Sequence, residues 1–223
     1  MRGTYEEAIV WSESEDLPPP SELKSRQYKN SIKNGEITTR SWEEDLQAWR
    51  IGIIDLAEQL TPSGLAGTCM EVGAGRGIAA AHLSGLPRVD GVYALDYSVG
   101  AVYDAMPAVQ PAVLGVNLNK LRRVLGDFSS IPDSSMDRIL AFGALHNAPS
   151  LDAAFQDMAR ALTPSGWLVC SDLALRPGTR TSQQEDLSLR FVPRSGQRFG
   201  TDGVRYRDTS DFFRTVADYV VAG

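Results

Sequence analysis

This chain is short of cysteine, histidine and positive charge, and each shortage closes off a class of function. With only 2 cysteines, Cys69 and Cys170, it can hold neither a disulfide framework nor a multi-cysteine metal centre, and such usage suits a reducing cytoplasm. Both cysteines lie in apolar segments that read as buried strands, so both are expected in the core. The 28 acids outnumber the 22 lysines and arginines, which leaves a formal charge of −6. That balance is wrong for a broad phosphate-neutralising surface, and no nucleic-acid partner is expected. No apolar run approaches the roughly 20 residues that span a bilayer, and MRGTYEEAIVWSESEDLPPP has no basic segment leading into an apolar one, so no membrane partner is expected either. No carboxylate cluster has the look of a magnesium site, and no metal is expected. The 223 residues fit one α/β domain with some additional helix.

What the chain does have is centred on Cys69-Met70-Glu71-Val72-Gly73-Ala74-Gly75-Arg76-Gly77-Ile78, which runs on into Ala79-Ala80-Ala81-His82-Leu83. A short apolar run ends on an acid, glycines alternate, and an alanine-rich stretch follows: strand, tight turn, helix. Glycines accept positive φ and let a ligand approach the main chain, while N–H groups at a helix start favour a polar or anionic group. The segment is therefore a cofactor-loop candidate. A dinucleotide fingerprint G-x-G-x-x-G counted from Gly73 and Gly75 requires glycine at position 78, where Ile78 stands, and the third glycine comes one residue early at Gly77. This disfavours a nicotinamide oxidoreductase.

Along the rest of the chain, residues 1–20 are acidic and end in three prolines, the composition of a flexible or extended arm. A capping box at Ser41-Trp42-Glu43-Glu44 opens a helix with an apolar stripe at Trp42, Leu46, Trp49, Ile53, Leu56 and Leu60, ended by Thr61-Pro62-Ser63-Gly64. That stripe packs on the core, or the helix and the segment before it, including Tyr28, cover the mouth of the site. Residues 89–96 read as a second strand ending on Asp96, and Ser98 caps a helix reaching about Val109. The stretch 110–120 has no clear reading. Residues 123–128 make a short strand, again ending on an acid; 136–147 make a strand and loop; Ser150 opens a helix with the stripe Leu151, Phe155, Met158 and Leu162. Thr163-Pro164-Ser165-Gly166 turns the chain into a strand at 167–172. Strands alternating with helices predict a parallel sheet with ligands at its carboxyl edge.

The order of these features is more specific than any one of them. Glu71-x-Gly73-x-Gly75-x-Gly77, Tyr93-Ala94-Leu95-Asp96-Tyr97-Ser98, Gly126-Asp127-Phe128, Met136-Asp137-Arg138-Ile139-Leu140 with Leu145-His146-Asn147, and Ala161-Leu162-Thr163-Pro164-Ser165-Gly166-Trp167-Leu168-Val169 together resemble the successive motifs of class I S-adenosylmethionine-dependent methyltransferases. The resemblance covers residues 65–172. It implies a Rossmann-like three-layer α/β sandwich with a mostly parallel central sheet, binding S-adenosylmethionine. Carried over by position, the Glu71-to-Gly77 loop, with Gly73, Ala74 and Gly75, holds the methionine part. Asp96 takes the ribose hydroxyls, as one carboxylate accepts from two vicinal donors. Asp127 and Phe128 meet the adenine edge, Tyr97 lines the adenine pocket, and Phe142 sits beside the cofactor. Asp127 has a simpler alternative as the cap of a turn. His146 stands where small-molecule methyltransferases often carry a histidine that orients or deprotonates the acceptor, or else it is a structural loop residue. His82 reads as a packed or partly solvated helix residue.

The resemblance implies a small-molecule methyltransferase, since the Asn/Asp-Pro-Pro-Tyr/Phe signature of amino-methyltransferases acting on DNA and some proteins does not follow the fourth strand. A methyltransferase-like binding or assembly subunit without turnover is the alternative. The chain divides into an N-terminal arm and helical cover at 1–64, a cofactor-binding core at 65–172, and a substrate-side insertion with a C-terminal helix at 173–223. Seven arginines between 176 and 207 read as a solvated loop, or as a mouth suited to a carboxylate or phosphate on the acceptor. Members of this family usually end with a helix and two further strands, but here only a helix at 209–219 and at most a short strand at 219–222 follow. A shortened chain, or a second copy in a two-fold dimer, is the expectation for the exposed sheet edge.

Overall fold

A computed structural model of the protein describes residues 4–12, 20–35, 51–61, 63–148 and 150–172. Six strands form one sheet: β1 (Ile9–Val10), β2 (Gly67–Val72), β3 (Val89–Asp96), β4 (Leu121–Leu125), β5 (Met136–Phe142) and β6 (Leu162–Ser171). Their order is β1-β4-β3-β2-β5-β6, and every pair is parallel. Around them lie α1 (Pro20–Lys33), α2 (Ile51–Leu60), α3 (Ile78–Ser84), a π-turn (Ala101–Ala105) running into α4 (Met106–Val109), and α5 (Leu151–Ala161).

Two-residue alternation along the strands divides the core into two apolar layers. Cys69, Leu140 and Phe142 face Ile54 and Ala57 of α2, Ile78 to Leu83 of α3 and Met106 of α4. Met70, Val72, Ile139 and Ala141 face Leu151, Ala154, Met158 and Ala161 of α5. Strands buried on both faces read as continuous apolar runs, which is why a parallel sheet was legible in the sequence. Each fully buried Leu or Ile stabilises the fold by about 1.5–3 kcal/mol. The expected three-layer α/β sandwich is therefore present. Local signals hold as well: Ser150 caps α5 by accepting from Ala153 N–H, and Ser98 Oγ accepts from Ala101 N–H at the start of the π-turn.

Four expectations need correction. The N-terminal arm is not loose throughout: β1 pairs with β4, and the ring of Tyr5 is buried beneath Arg123 with the guanidinium carbon 5.0 Å from its centroid. Arg123, itself buried, donates to the carbonyls of Tyr5 (2.9 and 3.1 Å), Glu6 (2.9 Å) and Val102 (2.7 Å), and burial pushes the Tyr5 hydroxyl up to about 12. A buried cation on β4 thus finds its acceptors in a segment whose composition alone suggested an arm.

The α2 stripe is shifted, since Ile54 and Ala57 are buried whereas Leu56 is 52% exposed. Trp42, Leu46, Trp49 and the capping box at Ser41 lie outside the described residues. Next, Thr163-Pro164-Ser165-Gly166 does not precede β6 but interrupts it: Met136 faces Leu162 and Arg138 faces Trp167, so the register slips within 163–166. Last, Cys69 is fully buried, its thiol raised to about 12 by that burial, but Cys170 is exposed. β6 has a partner on one side only among the described residues. The expected helix at 209–219, the short strand after it and the arginine-rich stretch lie outside the described residues.

Candidate functional site

In the strand order β4-β3-β2-β5 the connections from β2 and from β5 leave in opposite directions, so the chain reverses between those two strands at the carboxyl edge of the sheet. Such a switch point opens a crevice in parallel α/β sheets. The carboxyl ends of β2, β3, β4 and β5 and the loops after them meet there, and between them they carry the ten candidate site residues Glu71, Gly73, Ala74, Gly75, Asp96, Tyr97, Asp127, Phe128, Phe142 and His146.

The loop after β2 makes its turn with Gly73 (φ 63°) and Gly75 (φ 58°), conformations that a side chain adopts at a cost of about 1–2 kcal/mol. Space excludes larger residues as well: a Cβ on Gly73 would lie 2.5 Å from the Ala144 Cβ, and one on Gly75 would lie 2.7 Å from the Tyr28 hydroxyl. The first contact packs the glycine loop on the loop after β5. The second puts α1 over the glycine loop. Ser25, one turn earlier on α1, accepts from Gly100 N–H at 3.0 Å and lies 3.2 Å from Ser98 Oγ. Tyr28 and Ser25 thus bring α1 against the glycine loop and the turn after β3.

The acids at the strand ends act first on the protein itself. Glu71, fully buried at the end of β2, accepts from Ala80 N–H at 2.8 Å and so caps the seven-residue α3. The expected offer of free N–H groups to a ligand at this helix start is to that extent taken up internally. Asp96, 6% exposed at the end of β3, accepts from Gly75 N–H and from Ser98 N–H, both at 2.8 Å. It locks the glycine loop to the following turn, with Tyr97 half-buried beside it. Asp127 caps the short turn Phe128–Ser130, its Oδ1 accepting from Ser130 N–H at 3.2 Å and Ser129 Oγ at 2.8 Å, as its simpler reading foresaw. Phe128 packs on the α5-side core, while Phe142 is 1% exposed and belongs to the layer beneath the glycine loop. Ala74 is likewise fully buried, its N–H bonded to Leu95 C=O at 2.9 Å.

His146 lies on the turn Leu145–Asn147, two residues beyond Ala144. Its Nδ1 is 2.7 Å from Asp172 Oδ1, and Asp172 Oδ2 accepts from Leu145 N–H (2.6 Å) and His146 N–H (3.3 Å). Both side chains are largely buried, at 14% and 4% exposed. The sequence reading passed over Asp172, although an acid closing the last strand before a change in composition was a visible signal. His82, on α3, stays apart from this group; burial holds its imidazole below the usual range. Among the described residues no group of three potential metal ligands comes together, and no helix is long and apolar enough to cross a membrane.

Residues 70–170 match the family described as methyltransferase domain. No curated relative matches the sequence. Among solved structures, the fold is similar to the Haloferax volcanii complex between the Trm112 methyltransferase activator and its proposed methyltransferase, at 20% identity and TM-score 0.58, over 87% of this chain and 73% of that one. It is similar to the DhpI-SAM-HEP complex at 21% identity and TM-score 0.57, over 92% and 88%. The YcgJ protein of Bacillus subtilis follows at 19% identity and TM-score 0.56, over 77% and 66%.

Proposed function

We propose, for a chain whose residues 70–170 belong to the methyltransferase-domain family and whose fold is that of class I S-adenosylmethionine-dependent methyltransferases, that it methylates a small-molecule acceptor. The observation that carries this reading is the pair of hydrogen bonds from Gly75 and Ser98 N–H to Asp96, which joins the glycine loop and the end of β3 into one wall of the switch-point crevice.

The residues present fit the cofactor. The glycine loop keeps its main chain free of side chains at Gly73 and Gly75, with the Tyr28 hydroxyl standing over Gly75, and carboxylates stand at the ends of two neighbouring strands, on Asp96 and Asp127. Gly73, Ala74 and Gly75 would hold the methionine part, Asp96 the ribose hydroxyls, with Tyr97, Asp127 and Phe128 around the adenine. Glu71 and Phe142 support the loop from below. When bound, S-adenosylmethionine supplies a methyl group already activated by its sulfonium. The chain then contributes alignment and exclusion of water, with α1 and Tyr28 as cover. His146, on the acceptor side, orients the acceptor or takes its proton.

The finer parts of this reading are an N-terminal cover at 1–64, a core at 65–172 and an acceptor region at 173–223 whose arginines suit an anionic group. Its setting is the cytoplasm, and a second copy protects the β6 edge. Calorimetry of the full chain decides the cofactor: S-adenosylhomocysteine should bind and raise the melting temperature, and NADH should give no heat. The reverse result, or no binding of either, would overturn the proposal.

A further inference from the structure

Gln110 lies in the stretch that has no clear reading in the sequence, on a short 3-10 turn (Gln110–Ala112) directly after α4, and its side chain is fully buried. Its neighbours Val109 and Val113 belong to the apolar layer beneath the glycine loop. The amide nitrogen donates to Gly77 C=O at 3.1 Å, which fixes the orientation of the group, because a carbonyl only accepts. The amide oxygen is buried as well, and among the described residues it has no hydrogen-bond partner. An unpaired carbonyl in an apolar layer disfavours the folded state, and Gly77 C=O already accepts from Ala81 N–H at 3.0 Å, so the fold gains little from this amide. A residue that breaks a burial rule with so little return in stability is expected where function requires it.

The work of the amide is on the glycine loop. Gly77 stands at the start of α3 with φ 66°, and a Cβ there would collide with Gln110 Nε2, so the same contact accounts for glycine at this position. Residues 96–110 grip the loop at two points: Asp96, at one end, accepts from Gly75 N–H at 2.8 Å, and Gln110, at the other, donates to Gly77 C=O. The peptide groups between Gly75 and Gly77 are thereby held from both sides. Resting on the methyl-transfer reading above, we infer that Gln110 is a positioning residue for the methionine half of S-adenosylmethionine, kept for the geometry of the glycine loop and not for the stability of the fold. The adenosine half, assigned to Asp96, Tyr97, Asp127 and Phe128, does not depend on it.

Gln110→Met keeps the length of the side chain, suits the apolar surroundings and removes both polar atoms. In the full chain its urea midpoint should equal or exceed that of the wild type, whereas S-adenosylhomocysteine should bind about 3- to 10-fold more weakly, the worth of one hydrogen bond. 5′-Methylthioadenosine, which lacks the amino-acid end, should bind the two proteins equally in calorimetry. A residue with a merely structural role would not separate the two ligands. Unchanged S-adenosylhomocysteine affinity, equal weakening of both ligands, or a lowered midpoint would each overturn the inference.

Two measurements need no ligand. Gly77→Ala should lower the urea midpoint less in a Gln110→Ala background than in the wild type, because the added Cβ then meets no amide; additive effects would remove the contact on which the inference stands. In the wild type itself, NMR should show the Gln110 side-chain amide exchanging its protons slowly with solvent. Exchange as fast as that of an exposed glutamine would overturn the inference even if no Gln110 variant folds. Failure of the wild type to bind S-adenosylhomocysteine would instead remove the methyl-transfer reading, while the two ligand-free measurements still decide whether Gln110 holds the loop.

Discussion

Asp96→Ala should damage the protein twice, and the two effects are separable. In the folded chain the Asp96 carboxylate accepts from Gly75 N–H and Ser98 N–H, both at 2.8 Å, in a place where the side chain is 6% exposed. A buried donor left without its acceptor costs about 1–3 kcal/mol, so two give about 2–6 kcal/mol. Water entering at the crevice recovers part of this, and about 3 kcal/mol is the expected loss of stability. Asp96→Asn retains one acceptor oxygen but turns an NH2 toward the other donor, so its loss should be smaller, about 2 kcal/mol.

Urea denaturation gives these differences directly, provided the slope m is unchanged. The second effect is on the ligand: S-adenosylhomocysteine should bind about 1–3 kcal/mol more weakly to Asp96→Ala, roughly a 5- to 150-fold rise in Kd, through unpaired ribose hydroxyls. A variant within about 0.5 kcal/mol of wild-type stability would refute the hydrogen-bond reasoning, because that is the ordinary scatter of surface substitutions. Wild-type affinity in a folded Asp96→Ala would remove Asp96 from the cofactor site whatever the stability result.

Two further predictions concern the frame of the site. Arg123→Met deprives the carbonyls of Tyr5, Glu6 and Val102 of a charged donor, so the variant should lose about 3 kcal/mol, and limited proteolysis should cut within residues 4–12 much faster than in the wild type; equal cutting rates would show that the arm is held by something else. The second turns on His82, whose folded pKa is lowered, chiefly by burial with Asp55 opposing, so the unfolded chain takes up its proton near pH 6.5 before the folded chain does. This group's contribution to stability is therefore complete above about pH 7 and declines as the pH falls through 6.5 toward the lower folded value. Denaturation midpoints measured between pH 7.5 and 5 should be flatter in His82→Gln, and superimposable slopes would rule out the assignment.

Much of this protein is written in short-range signals. Short strands such as the six-residue Gly67–Val72, the cap at Ser150, the glycines at 73, 75 and 77 and the acids at or near the ends of three strands are each settled within a few residues. Local sterics, caps and two-residue alternation need no tertiary partner to be recognised, and together they determined the parallel three-layer fold and the place of the crevice. Only the tertiary structure decided which groups those residues meet. Glu71 caps a helix instead of facing outward, and Asp96 holds a loop, because a buried carboxylate takes whichever donors the fold brings near.

The Asp172–His146 pair spans 26 residues, the Ser25–Ser98 contact 73, and the Arg123–Tyr5 contact 118. At such separations sequence spacing carries no geometric information. The arm shows the same limit: the acidic, proline-ended composition of residues 1–20 predicts solvent, but a buried guanidinium on β4 required carbonyl partners, and Tyr5 and Glu6 supplied them.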